Sequence, residues 1–397
     1  MSGLIPVSEA LDAIFELVSP TGTEQVLLEN AHGRVLAEPL QATRAQPPFA
    51  SSAMDGYAVR SGDAVAGATL DLIGEAAAGH GYSGPVGTGQ AVRIFTGAPV
   101  PEGADRVVIQ ENTTRDGSRV TLTEVPDDGG NIRPSGSDFG IGDAVEAPRR
   151  LNPRDLALLA SMNHPAAPVH RKPVVAIIAT GDELVMPGES PSPDQIIASN
   201  SFGIKAICEA EGAEVRLLPI ARDNAASLET VLGLAEGADL IVTIGGASVG
   251  DHDIVAQVAG DMGLERSFYK VAMRPGKPLM SGRIRDSVLI GLPGNPVSSM
   301  VCTHIFIIPA LRAMQGLPAR ARQRHQATLA HALGSNGPRE HYMRATLSQA
   351  AGTPQIDAKS RQDSSLLTVL AEANCLMIRP PNDPPRQTGE TVDYLPL

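Results

Sequence analysis

Residues 239–254 read DLIVTIGGASVGDHDI, and the fold turns on how this stretch is divided. Its first part is an unbroken apolar run bounded by glycine, the pattern of a strand buried on both faces. The middle, with Gly245, Gly246 and Ser248, is a turn of the kind that wraps backbone N–H groups around a phosphate. The end carries Asp251 and Asp253 with His252 between them. A phosphate cradle should avoid carboxylates, so their presence calls for a partner of opposite charge.

Around that strand the pattern alternates. PVVAIIAT (173–180), EVRLLPI (214–220) and SVLIGLP (287–293) read as further strands. Helical segments separate them: one starting near Ser199 and closing on Gly212, then AASLETVLGLAEGA (225–238), DIVAQVAGDMG (253–263) and PVSSMVCTHIFIIPALRAM (296–314). Strand and helix in alternation predict a doubly wound α/β domain with mostly parallel strands over residues 172–316. Upstream, Leu11, Ile14, Phe15 and Val18 give one apolar helical face that Pro20 ends, and Asn152-Pro153 opens a second helix. The two helices predict a discontinuous linking domain from residues 1–22 and 145–171. Short β runs between Gly, Pro and Asp make 23–144 a β-rich domain, and 317–397 reads as a small β-barrel or sandwich.

The bulk numbers agree with several domains. The chain has 397 residues, 42% apolar and 19% charged, and carries a formal net charge of -12. Its basic residues form no run, which disfavours nucleic acid and anionic membranes as partners. Cys208, Cys302 and Cys375 make no CxxC pair, so buried free thiols are expected. The first residues lack a signal-peptide pattern and no apolar run is expected to be long enough to span a bilayer, so a cytoplasmic protein is expected.

In an open α/β sheet, ligands bind beyond the carboxyl ends of the strands. Asp182 and Glu183 follow the first strand, Asp223 follows the second, and Asp251 and Asp253 follow the third. Two carboxylates about 5 Å apart repel by roughly 3 kcal/mol at an effective dielectric near 20. A helix N-terminus offers an anion only about 0.3–1 kcal/mol. An anionic ligand therefore needs a hard divalent cation there, and Mg²⁺, which takes one or two carboxylates and bridges to phosphates, fits. KVAMRPGKP (270–278) reads as a stiff turn in which Pro275 and Pro278 fix Lys270, Arg274 and Lys277, predicting an oxyanion site beside the metal. Pro293, Gly294, Asn295 and Pro296 make a rigid turn before a helix. Taken singly, Asp55, Thr96 and Asp138 read as turn residues of the β part.

Seven motifs then occur in order: SSAMDGYAV (51–59), RIFTGAPVPEGAD (93–105), NIRPSGSD (131–138), ATGDEL (179–184), IGGASVGDHD (244–253), MRPGKP (273–278) and GLPGNPVS (291–298). Together they closely resemble the molybdopterin molybdenumtransferase family, MoeA and the E domain of gephyrin. The resemblance implies an L-shaped homodimer whose central domain is similar to the molybdopterin-adenylyltransferase fold. It implies insertion of molybdate into adenylylated molybdopterin with release of AMP. It also implies contacts with the molybdopterin adenylyltransferase and with recipient molybdoenzymes. On this resemblance Glu183, Asp223 and Asp253 are the Mg²⁺ and phosphate acids, and Lys270 and Arg274 face phosphate or molybdate. Thr180, Gly181, Ser248, Lys277, Pro293, Gly294, Asn295 and Pro296 shape the pterin and nucleotide pocket. Arg344 and Ser364 reach toward the oxyanion. Asp55, Thr96, Arg133 and Asp138 close the cleft from the other subunit. The sequence departs from the family where Arg274 replaces a common Lys and Ser137 a common acid. Two alternatives stay open: nucleotidyl transfer or pyrophosphate hydrolysis on the same α/β domain, and a non-catalytic scaffold.

Overall fold

The computed structural model describes residues 4–125, 129–246, 254–350 and 352–397, with the backbone alone of Ala350. The central unit is built from β1 (Val174–Ala179), α1 (Asn200–Ala210), β2 (Glu214–Leu217), α2 (Ala225–Leu234), β3 (Leu240–Ile244) and α3 (Ile254–Asp261). It continues through β4 (Glu265–Lys270), β5 (Pro278–Ile284), β6 (Ser287–Leu292) and a long helix α4 (Pro296–Met314). The sheet order is β2-β1-β3-β6-β5-β4. The first four strands are parallel, and β5 and β4 are antiparallel additions. That hairpin escaped the sequence reading, which took 270–278 as a turn. Its apolar alternation is interrupted by Arg266, Lys270, Gly282 and Arg283.

β3 and β6 are buried at every position, as strands covered on both faces must be. On one face α1 and α4 bury Ile204, Cys208, Val301, Phe306 and Leu311. On the other, α2 and α3 bury Leu228, Val231, Val255 and Val258. Each fully buried aliphatic or aromatic side chain contributes about 1.5–3 kcal/mol. Within α4, Thr303–Ile307 is a π turn, and Ile308 N–H donates to the Thr303 carbonyl. Pro309 explains it: the residue lacks an N–H, and its ring would strike the carbonyl one α-turn back. This helix corrects one expectation. It is long and apolar enough to cross a bilayer, with mean hydropathy 1.5, yet 83% of it is buried inside the protein.

The amino-terminal helix Val7–Leu17 buries Val7, Ala10, Leu11 and Ile14 in the same core as α1 and α4. The helix Pro153–Ser161 buries Leu159 elsewhere, with Leu36, Leu151 and Val169. The two helices therefore do not pair as expected. Segment Pro153–Ser161 instead shares a core with a four-stranded sheet of Thr23–Leu27, Ala166–His170, Val35–Leu36 and Arg149–Arg150. A separate six-stranded sheet runs through Gly56–Val59 and Gln90–Ile94.

The carboxyl-terminal strands close a five-stranded barrel, because Glu340–Ala350 pairs with both Thr353–Ala358 and Cys375–Arg379. Closure removes the exposed edges. One outside strand joins it: Met273–Arg274 pairs in parallel with Glu340 and His341.

Candidate active site

The chain leaves β1 toward β2 on one side and returns to β3 on the other, so β1 and β3 flank the topological switch point. Their ends are level. Ala179 lies opposite Ile244, and Ile244 opposite Leu292. The residues that follow therefore converge on a cleft of about 890 Å³. It is bordered by Thr180, Gly181, Glu183, Asp223, Gly245, Gly246, Pro293, Gly294, Asn295 and Pro296. This is the size of a small-molecule site.

Local geometry fixes this rim. Thr180 N–H donates to Ile244 O at 2.9 Å, and Gly245 N–H to Leu292 O at 3.0 Å. Gly245 has φ +95°, and a Cβ there would stand 2.7 Å from Thr180 O, so only glycine lets the two turns meet. The turns after β1 and β2 are laced together. Asp223 N–H donates to Asp182 Oδ1 at 3.1 Å, and Asp182 N–H to Asp223 Oδ2 at 3.4 Å. Arg222 Nη1 donates to the carbonyls of Gly181, Asp182 and Leu184. Asn200 Nδ2 donates to Gly294 O at 2.8 Å, tying α1 to the proline turn.

The barrel reaches the same rim. Asn295 Nδ2 donates to Ser364 Oγ at 3.2 Å, Val297 N–H donates to Ser364 O at 3.0 Å, and Ser365 borders the cleft. Arg344 does not border the cleft and is fully buried. Its Nη2 donates to Asp363 O at 3.0 Å, while Nε and Nη1 have no partner among the described residues. Burial first, then the Arg274 charge, lowers its pKa to about 10, with Asp363 opposing. A buried guanidinium with two free donors, beside a second cation, is built to receive an anion.

Other predicted residues lie elsewhere. Lys270, Arg274 and Lys277 do not border the cleft, although Pro278 does. Arg274 lies on the barrel edge, and Lys270 Nζ sits over the Tyr269 ring. Asp55, Thr96, Arg133 and Asp138 also stay outside the cleft of their own chain. Asp55 Oδ1 accepts from Thr96 N–H at 2.8 Å and Thr96 Oγ1 at 2.7 Å. Those bonds, with a smaller contribution from the Arg93 charge, hold its carboxyl below the usual range. Arg133 pairs with Ser51 on a short ladder, and Asp138 N–H donates to Gln46 O. Ser248, Asp251, His252 and Asp253 lie outside the described residues. Among the described residues, no three of His, Cys, Asp and Glu form a group able to hold a metal. Sequence reasoning overlooked Asn200, Gln257, Ser365 and the pair Ile196 and Ile197, all on the cleft.

A cleft at the switch point of an open α/β sheet, with acids at the strand ends and Ser365 of a closed barrel on its border, defines a small-molecule-binding protein of the doubly wound α/β class. Residues 5–163 match the MoeA N-terminal region (domain I and II), residues 176–313 the probable molybdopterin binding domain, and 326–397 the MoeA C-terminal region (domain IV). A molybdopterin molybdenumtransferase of Nostoc is 35% identical, covering 98% of this chain and 93% of its own length. One from Haemophilus influenzae is 34% identical over 96% of both chains. The crystal structure of a Pyrococcus molybdopterin biosynthesis MoeA protein superposes with a TM-score of 0.85 at 28% identity, covering 99% of this chain and 98% of that one. The chain belongs to the molybdopterin molybdenumtransferase family.

Proposed function

We propose that this protein inserts molybdate into adenylylated molybdopterin and releases AMP, completing the molybdenum cofactor in the cytoplasm. The observation that carries the reading is one cleft bordered by the Glu183 and Asp223 carboxylates and by the barrel's Ser365, two residues from Asp363, whose carbonyl holds the buried Arg344 with two further donors unpartnered among the described residues. Carboxylates suit a cation that holds phosphates, and free guanidinium donors suit an oxyanion. The two substrates are both anionic, and these are the two devices needed to bring them together.

Glu183, Asp223 and Asp253 would hold Mg²⁺, an all-oxygen donor set suited to a hard cation. When bound, Mg²⁺ neutralises charge on the phosphoanhydride. Thr180, Gly181, Ser248 and the Pro293–Pro296 turn position the substrate. Lys270, Arg274, Lys277 and Arg344 draw molybdate in. The protein's part is placement and charge balance, so no protein nucleophile is needed. We place Asp55, Thr96, Arg133 and Asp138 against the cleft of a second copy in a homodimer, where the Thr96 bonds keep Asp55 ionised. Adenylyltransferase and recipient molybdoenzymes are the proposed protein partners.

The test is AMP release from adenylylated molybdopterin on addition of molybdate. Glu183→Gln and Asp223→Asn should abolish it. Arg344→Met should raise the molybdate needed by about tenfold or more, the worth of one charge-assisted hydrogen bond. Wild-type rates in all three variants would overturn the reading.

A further inference from the structure

We propose that Arg222 is a positioning residue: it holds the turn of residues 181–184 and so presents Glu183 to the cleft beside Asp223 without pairing with either carboxylate. The inference rests on the function proposed above and adds to it a residue that does not itself border the cleft.

A turn that presents a side chain must still satisfy its own carbonyls. From Gly181 to Leu184 there are four, and every one has a donor. Arg222 Nη1 takes three of them: Gly181 O at 3.3 Å, Asp182 O at 3.1 Å and Leu184 O at 3.0 Å. The fourth, Glu183 O, accepts from Ile196 N–H at 2.8 Å. Three carbonyls drawn to one nitrogen fix the path of the chain between them. Along that path the Glu183 carboxylate lies against Gly181, whose φ is +148°, and a Cβ there would collide with it.

The arginine is anchored in turn. Gly181 N–H donates to Ala221 O at 3.1 Å, and Ala221 N–H to Ala179 O at 2.9 Å. Arg222 N–H donates to Ser227 Oγ at 2.9 Å, and Asn224 Oδ1 accepts from Ser227 N–H at 2.9 Å to cap α2. A guanidinium carried by the turn after β2 therefore grips the turn after β1. Its choice of partners is the telling point. A carboxylate is a stronger partner for a guanidinium than a carbonyl is, and Asp182, Glu183 and Asp223 are all close in sequence to its acceptors or to itself. Yet among the described residues Arg222 is ion-paired with none of them. Asp182 and Asp223 accept instead from each other's backbone N–H. A positive charge seated on carbonyls offsets the repulsion among the acids, and it leaves Glu183 and Asp223 open to a bound cation.

The test uses the full chain, first without ligand. In Arg222→Ala, amide exchange read by mass spectrometry should quicken about tenfold in peptides covering 181–186 and 194–199, and nowhere else. Mn²⁺ added alone, with the free ion measured by its paramagnetic resonance, should bind this variant about tenfold more weakly, since only chains with an ordered turn can take the ion. Arg222→Lys, which keeps a cation with several donors, should stay within about threefold of the parent in both measurements. Millimolar methylguanidine should restore the alanine variant. The molybdate needed for half-maximal AMP release at saturating metal should not change. Unaltered exchange and Mn²⁺ binding in Arg222→Ala would overturn the proposal. So would faster exchange throughout the chain or a raised molybdate requirement, each the mark of a general loosening. Loss of AMP release with Mn²⁺ binding intact would overturn it as well, by giving Arg222 a direct part in the reaction. The function is judged separately. Parental AMP release from Glu183→Gln, or a parent chain that binds no Mn²⁺, would refute the metal reading of the acids. An idle Arg222 beside an inactive Glu183→Gln would leave that reading standing.

Discussion

At the scale of single residues, His341 makes the clearest physical statement. It is 7% exposed and its Nε2 lacks a partner among the described residues. Burial first, then the charges of Arg274, Arg344, Arg379 and Arg339, hold its pKa down to about 4 from the ordinary 6.5. The unfolded chain takes up this proton near pH 6.5, and the folded chain only near pH 4. Between those values the unfolded state binds more protons, so stability falls as pH drops, by up to about 1.4 kcal/mol per pH unit. His341→Gln should flatten that slope in urea titrations at pH 7, 6 and 5. A slope identical to the parent's would dismiss the histidine as its source. Arg344, three residues on, shows what a sequence conceals. Its charge is plain in HYMRA, but its burial follows from strand alternation, which places it on the face of Tyr342, toward the central core.

At the scale of elements, legibility depends on how local the determinants are. The Pro153–Ser161 helix was readable from Asn152-Pro153, because a cap is decided within four residues. Asn152 Oδ1 accepts from Arg154 N–H at 2.9 Å and Asp155 N–H at 3.2 Å, and Asp155 Oδ2 accepts from Asn152 N–H at 3.0 Å. Removing this capping box with Asn152→Ala should cost about 1 kcal/mol, read as a lower urea midpoint. A midpoint equal to the parent's would count against the cap. The β1, β3 and β6 strands were equally plain as apolar runs. The β4–β5 hairpin was not, since its stabilising partner is a distant sheet edge and its own pattern is broken by charges. For the Val7–Leu17 helix the apolar stripe announced a buried face but not its partner, which is set by the central core. The switch-point acids were legible through topology, whereas Ile196 and Ile197 follow a polar, proline-rich stretch, and Asn200 at the start of α1 shows only in the structure that it reaches the Gly294 carbonyl.

At the scale of the whole molecule, one carboxylate joins units that the sequence keeps far apart. Glu211, at the end of α1, accepts from Arg312 Nε at 3.0 Å and Nη2 at 2.8 Å. Its backbone carbonyl accepts from Gln315 Nε2 at 2.8 Å and from Arg150 Nη1 at 3.2 Å. Arg150 belongs to the four-stranded sheet of the amino-terminal part and also donates to Gly33 O. Because both arginines are about a third exposed, Glu211→Gln should cost only about 1 kcal/mol. It should lower the melting temperature and broaden the small-angle scattering profile as the amino-terminal part loosens. Identical melting and scattering would show the clamp to be idle. No sequence pattern announces these pairs, for their members are 61 and 101 positions apart. The two-residue strand Met273–Arg274 carries a different consequence. Since it is stitched to the barrel at Glu340 and His341, the last fifth of the chain is hemmed to the body and does not dangle from residues 317–324. Any swing of the barrel drags Arg274 with it, so Arg274 and Arg344 travel as a unit and their mutual spacing survives whatever opening the cleft undergoes.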